Sequence, residues 1–267
     1  MNERWPCRRK SGRMPSEAAQ FYDSMADAYH LIFEDWDKAM ARQAGVLDAL
    51  IRKNCGHDRL DIHDCACGIG TQAIGLALLG HRVSGSDLSG AAVQRAANEA
   101  AKRGLNVPFG VSDMTSLAEY SSDAFEVLGA FDNALPHLSV DQLAAAASSF
   151  RRVLRSGGVM FASIRDYDEL VKTRPTFQGP SFFGSPGERR IVHQVWDWTG
   201  ADAYDVHQYI SLERDNRWEV LHFSSRYRCL LRAEVTQALL SAGFVDVEWL
   251  IPSVTSYYQP IVLGRVP

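Results

Sequence analysis

The stretch Asp61-Ile62-His63-Asp64-Cys65-Ala66-Cys67-Gly68-Ile69-Gly70-Thr71 reads as a strand that ends in a glycine turn and feeds a helix over 72–79. Glycines at 68 and 70 can take positive φ and carry no Cβ, so a ligand can lie against the backbone there. The first amides of the following helix have no partner within it and point at the same space. A second strand, His81 to Asp87, closes on an acid. A carboxylate at the tip of the second strand of a nucleotide-binding α/β unit can accept hydrogen bonds from both ribose hydroxyls.

The glycine spacing discriminates between ligands. A dinucleotide fingerprint has a third glycine where this chain has Ala73, and there is no Lys-Ser/Thr pair of a P-loop. The Asp-x-x-Cys-Gly-x-Gly-Thr form instead resembles motif I of the class I S-adenosylmethionine-dependent methyltransferases. That resemblance implies a cofactor with an amino-acid tail where a dinucleotide carries phosphates.

Outward from this turn, helices and strands alternate. A helix over 90–103 precedes a short strand, Pro108 to Val111, that ends at Asp113-Met114, an acid suited to an adenine amino group with an apolar neighbour for the ring. A fourth strand, 124–130, runs into Phe131-Asp132-Asn133 and on to His137-Leu138. An alanine-rich helix over 141–154 is expected to stop at Ser156-Gly157-Gly158, before a fifth strand, 159–164. Then the pattern changes to three strands joined by Gly/Asp/Asn turns, 188–197, 204–213 and 218–230, with no helices between them. Alternation resumes with a helix, 232–242, and strands 246–250 and 259–265. The expected fold class is α/β: a Rossmann-like seven-stranded methyltransferase sheet with helices on both faces and an antiparallel β insertion after the fifth strand. The domain limits that follow are a disordered basic arm over 1–15, with Met14 an alternative start, and an N-terminal helical lid over 16–58. The core over 59–187 is followed by an antiparallel substrate cap over 188–230 and the end of the core over 231–267.

Composition narrows the function classes. A chain of 267 residues with 46% apolar residues and a net charge of −4 fits an enlarged globular domain and disfavours a polyanionic partner such as nucleic acid. No apolar run approaches membrane-spanning length. The five cysteines have no framework spacing, Cys65 and Cys67 do not form a metal-ligand pair, and the odd count favours a reducing compartment. The expectation is a soluble cytoplasmic enzyme with no membrane, nucleic-acid or metal partner, and with homo-oligomerisation left open.

Five stretches together resemble the glycine/sarcosine N-methyltransferase-like clade of class I methyltransferases. They are Cys65 to Thr71, Gly85 to Ser89, Asp132 to Leu138, Leu154 to Gly158 and Ile164 to Asp168. The resemblance runs from about Tyr22 to the end. It implies S-adenosylmethionine as cofactor, S-adenosylhomocysteine as product, and a small-molecule acceptor, an amine nitrogen before a hydroxyl oxygen. A non-catalytic module that keeps the cofactor is the remaining alternative. Residues implied to contact the cofactor are Ala66, Gly68 and Gly70 on the turn, Asp87-Leu88 at the ribose, Asp113-Met114 at the adenine, and Phe131. The lid would add Tyr22, Tyr29, Trp36 and Arg42. Implied acceptor contacts are Asn133, His137, Arg165, Tyr167, Trp196 and Tyr209, with Arg165 gripping a carboxylate and His137 or Tyr29 serving catalysis. Trp196, Trp198, Tyr204, Tyr209 and Trp218 make the insertion more aromatic than a glycine pocket needs, pointing to a larger metabolite such as a natural product.

Overall fold

The computed structural model describes residues 16–56 and 58–267, so the expectations for the arm over 1–15 lie outside the described residues. Two sheets account for all the strands among them. The first has seven strands: β1 (Asp61–Asp64), β2 (Arg82–Asp87), β3 (Phe109–Val111), β4 (Phe125–Ala130), β5 (Leu154–Ser163), β10 (Val245–Leu250) and β11 (Ile261–Arg265). Their order is β10-β11-β5-β4-β1-β2-β3, parallel from β3 to β5, with β11 antiparallel to both its neighbours. This is the expected methyltransferase sheet. The order reverses between β1 and β4, and open α/β sheets bind ligands at that point, beyond the strand tips.

Alternation along the central strands explains why both faces are covered. Val127, Val159, Phe161, Ile261 and Leu263 point to one side. They pack there with Leu47 and Ile51 of α2 (Trp36–Cys55) and Leu76 of α3 (Thr71–Leu78). The intervening Leu128, Met160, Ala162 and Val262 point to the other. They meet Leu143 and Phe150 of α5 (Val140–Val153) and Leu239 of α7 (Arg232–Ser241). Strands buried on both faces lose the apolar–polar alternation and read as continuous hydrophobic runs, which is why they were visible in the sequence.

The second sheet is the insertion, and it has four strands where three were expected: β6 (Phe177–Phe183), β7 (Arg190–Trp198), β8 (Ala203–Arg214) and β9 (Arg217–Arg228). The first of these was missed because Gly179-Pro180 reads as a turn. Proline is tolerated here because β6 is an edge strand with a register shift between Gln178 and Ser181. Residues 204, 206, 208, 210 and 212 of β8 are all buried, so one face of this sheet is apolar. Its lower half, Trp196, Tyr204, Val206 and Tyr227, joins the core. Its upper half, Val192, Ile210 and Leu212, is covered by Phe21, Met25 and Ala28 from α1 (Glu17–Met25) and the turn after it.

Two other expectations are corrected. The alanine-rich helix ends at Val153 and passes directly into β5, so Gly157, at φ 74°, is no helix cap. It lies in an irregularity where Phe125 pairs with Leu154 but Val127 with Val159. Short helices α6 (Tyr167–Thr173) and α8 (Pro252–Thr255) were not foreseen, whereas α4 (Gly90–Lys102) lies where expected.

Candidate active site

Between β1 and α3 the chain turns through two left-handed glycines, Gly68 at φ 50° and Gly70 at φ 91°. Their roles differ. A Cβ on Gly70 would lie 2.7 Å from Ile74 Cδ1 and 3.2 Å from Ala96 Cβ, so this glycine lets helices approach and does not line the cavity. Around Gly68 a Cβ would meet nothing within 4 Å; the backbone there faces open space. Gly68 N–H donates to Asp87 Oδ2 at 2.9 Å, and Ser89 N–H to Asp87 Oδ1 at 2.9 Å. The carboxylate thus ties the turn to the tip of β2, and each oxygen keeps a lone pair for a further donor. Burial holds its pKa above the ordinary carboxylate range. Beside it, Asp64 is fully buried and its Oδ2 has no hydrogen-bond partner among the described residues. Burial pushes its pKa up to about 7.

Gly68 and Asp87 border a cavity of about 980 Å³. At the cofactor end its lining includes Ala66, Gly68, Asp87, Leu88, Asp113, Met114 and Phe131, all anticipated from sequence. Asp113 Oδ1 accepts from both the N–H and the hydroxyl of Thr115, at 2.9 and 2.7 Å. Further in stand Tyr22, Tyr29, Asp132 and His137. Tyr22 Oη lies 3.1 Å from His137 Nε2, and His137 stacks near Tyr227 with centroids 4.4 Å apart. Burial, assisted by the Arg165 charge, lowers the His137 pKa to about 4, so its ring is neutral near pH 7. Burial also holds the Tyr22 and Tyr29 phenols protonated.

Asp132 was quoted from the sequence only as part of a motif, yet it is central. It and Asn133 sit at φ 55° and 66°, uncommon for side chains other than glycine, pinned by Ser163 of β5. Tyr29 Oη donates to Asp132 Oδ2 at 2.8 Å and Tyr258 Oη to Oδ1 at 2.6 Å. Tyr258 comes from the far end of the chain and carries no local sequence signal. At the opposite end of the cavity the insertion contributes Ser225, Arg226 and Arg228, facing Ser139 and Gln142 at the start of α5. None of these five was foreseen. Ser225 Oγ and Arg228 Nη2 are buried without hydrogen-bond partners among the described residues.

Several anticipated residues do not line the cavity. Trp36 donates to Thr71 Oγ1 at 2.9 Å from behind the helix start, and Arg42 is exposed on α2. Tyr209 belongs to the outer face of β8, between His193 and His222, because its neighbours Gln208 and Ile210 face inward. Asn133, Tyr167 and Trp196 are buried behind the wall. Arg165 lies there too, donating to Tyr204 Oη at 2.7 Å and Gln194 Oε1 at 3.1 Å, with its guanidinium 4.8 Å from the Trp196 ring. The acids beside it, Asp166 and Asp168, pair with Arg232 instead.

Residues 62–158, the segment holding the turn and five strands, match the methyltransferase domain family. This segment of the chain is a methyltransferase domain. Solved structures agree over nearly the full length of the chain. DesVI of Streptomyces venezuelae is 22% identical, with a TM-score of 0.74 and coverage of 91% of this chain and 98% of that one. CalS10, an amino pentose methyltransferase of Micromonospora echinaspora solved with S-adenosylmethionine, is 16% identical, with a TM-score of 0.69 over 85% and 92%. The sugar N-methyltransferase KedS8 of Streptoalloteichus is also 16% identical, with a TM-score of 0.66 over 100% and 99%. At these identities the structures carry the likeness of fold. A methyltransferase domain makes the chain an enzyme. The residues at the turn would fit S-adenosylmethionine, the molecule bound in CalS10: an open backbone face at Gly68 and spare lone pairs on Asp87. No helix among the described residues is long and apolar enough to cross a membrane.

Proposed function

We propose that this methyltransferase moves a methyl group to an amine nitrogen of a small natural-product-like metabolite, an amino sugar being the favoured class. The observation that carries this reading is the single cavity with two chemically distinct ends. Its volume, about 980 Å³, is at the top of the ~300–1,000 Å³ usual for one ligand. It accommodates a cofactor at the glycine turn and a second molecule toward Ser225 and Arg228. Their unpartnered polar atoms, with the N-terminus of α5, suit an oxygen-rich or anionic portion of that second molecule.

In the proposed arrangement Asp64 and Gly68 hold the amino-acid tail, Asp87 the ribose, and Asp113 and Met114 the adenine. The α1 segment acts as a lid, with Tyr22 and Tyr29 walling the site from water. We assign Arg165 to holding this wall, since its donors are engaged by Tyr204 and Gln194. When bound, the cofactor supplies a methyl group already activated on a sulfonium. The chain's task is then positioning and desolvation, worth up to about 7–11 kcal/mol in favourable cases. The acceptor amine would have to arrive neutral, with His137 beside it as an uncharged neighbour and not as a base. The His137 pKa of about 4 is too low to hold the proton, which would leave with the ammonium product.

Calorimetry with S-adenosylmethionine and S-adenosylhomocysteine tests the cofactor end. Incubation of the enzyme with isotopically labelled cofactor and a panel of amino sugars, read by mass spectrometry for a gain of one CH2, tests the acceptor end. Fragmentation that placed the label on oxygen in every product would refute nitrogen methylation.

A further inference from the structure

Asp132 is a carboxylate that lines the same cavity as Gly68 and His137. The pairing of β1 with β4 places it there: Asp64 is opposite Gly129, Cys65 N–H donates to Gly129 O at 2.8 Å, and Asp132 is three residues further on. No described lysine, arginine or histidine forms an ion pair with it. Arg165, whose charge reaches the neighbouring Tyr29, is committed to Tyr204 and Gln194. The two oxygens of Asp132 each accept one phenol, from Tyr29 and Tyr258. Those phenols fix the carboxylate plane and leave lone pairs on both oxygens.

A half-buried carboxylate without a counter-ion, facing a cavity, favours a ligand group that brings positive charge and N–H donors. We propose that Asp132 receives an N–H of the acceptor amine and so aims its lone pair at the methyl group, which makes nitrogen the methylated atom. This rests on the reading of the cavity as a methyltransferase site. A hydroxyl acceptor gains little from Asp132, because a carboxylate is far too weak a base to ionise an alcohol. An amine needs only to be drawn in, oriented and relieved of one proton. The strained backbone at Asp132 and Asn133 is the geometry that turns the side chain into the cavity.

The test needs no knowledge of the acceptor. Sinefungin is an analogue of the cofactor that carries an amine on carbon where the cofactor carries its methyl sulfonium. It therefore presents an ammonium near the place an acceptor amine would take. Calorimetry on the full chain compares sinefungin with S-adenosylhomocysteine, which has neither charge nor N–H at that position. The wild type should prefer sinefungin. Asp132→Asn should keep the affinity for S-adenosylhomocysteine within about threefold and weaken sinefungin roughly ten- to a hundredfold, the range for a hydrogen bond to a charged group. Tyr258→Phe, which removes a phenol but keeps the carboxylate, should retain the preference. A wild type that binds S-adenosylhomocysteine without preferring sinefungin overturns the proposal, as does an unchanged ratio in Asp132→Asn. So does a Tyr258→Phe protein that loses the preference while Asp132→Asn fails to fold, since the clasp and not the charge would then be responsible. Failure of the wild type to bind either ligand refutes the cofactor reading instead.

Discussion

Replacing Asp64 with asparagine should make the cofactor-free protein more stable at neutral pH, and the gain should vanish in acid. The carboxyl is fully buried, its Oδ2 is unpartnered, and burial moves its pKa from 3.8 to about 7. Below about pH 4 the group is protonated in both the folded and unfolded chains and contributes nothing. Above that value the unfolded chain releases its proton while the native one keeps it until about pH 7. The native state therefore binds more protons across this window, and stability falls as pH rises through it. A shift of roughly three units corresponds to about 4 kcal/mol at most, fully present above pH 7. Asparagine has the same shape and no charge, so its advantage over the wild type should grow from near zero at pH 4 toward that figure at pH 8. Urea denaturation of both proteins at several pH values measures it. The buried His137 and His63, held down at about 4 and about 3, give the opposite slope in acid, but both proteins contain them and the comparison removes them. Stability curves that run parallel from pH 4 to 8 would refute the reasoning. The same variant should bind S-adenosylhomocysteine more weakly, because the unpaired oxygen is proposed to meet its ammonium.

Gly70→Ala combines a φ of 91° with a Cβ 2.7 Å from Ile74 Cδ1; a loss of about 2–4 kcal/mol is expected by urea denaturation, and a change under about 0.5 kcal/mol would contradict the packing role. Asp87→Ala deprives the Gly68 and Ser89 amides of their acceptor, at about 1–3 kcal/mol each. It should also weaken S-adenosylhomocysteine at least tenfold, and an unaltered dissociation constant removes Asp87 from the site. Phe21→Ala, at a side chain 7% exposed against Val192 and Ile210, should cost about 3–5 kcal/mol. A neutral result would mean that α1 docks only loosely.

How much of this was legible in the chain differs by level. The parallel core was readable because its strands are local and mostly separated by helices, with β4 and β5 largely apolar on both faces, and because the glycine turn needs backbone conformations few residues adopt. The cavity lining near the turn was readable for the same reason: Ala66, Gly68, Asp87, Asp113 and Phe131 each stand at a strand tip, and parallel strands carry all their tips to one edge. The insertion was less so. Its proline-bearing edge strand imitates a turn, and period-two alternation says that Tyr209 and Ile210 face opposite ways without saying which way is in.

The sequence by itself determined the sheet and the turn, since these depend on patterns within a few residues of one another. Only the tertiary structure decided what stands opposite the turn. It withdrew Arg165, Tyr167 and Trp196 behind the wall, left Arg42 exposed and turned Tyr209 outward. It brought Tyr29, Asp132 and Tyr258 together from three distant parts of the chain. The physical reason is that a carboxylate's partners are fixed by packing between elements. Nothing in a chain's local propensities encodes which phenol, some two hundred residues apart in the chain, will arrive at the same oxygen pair.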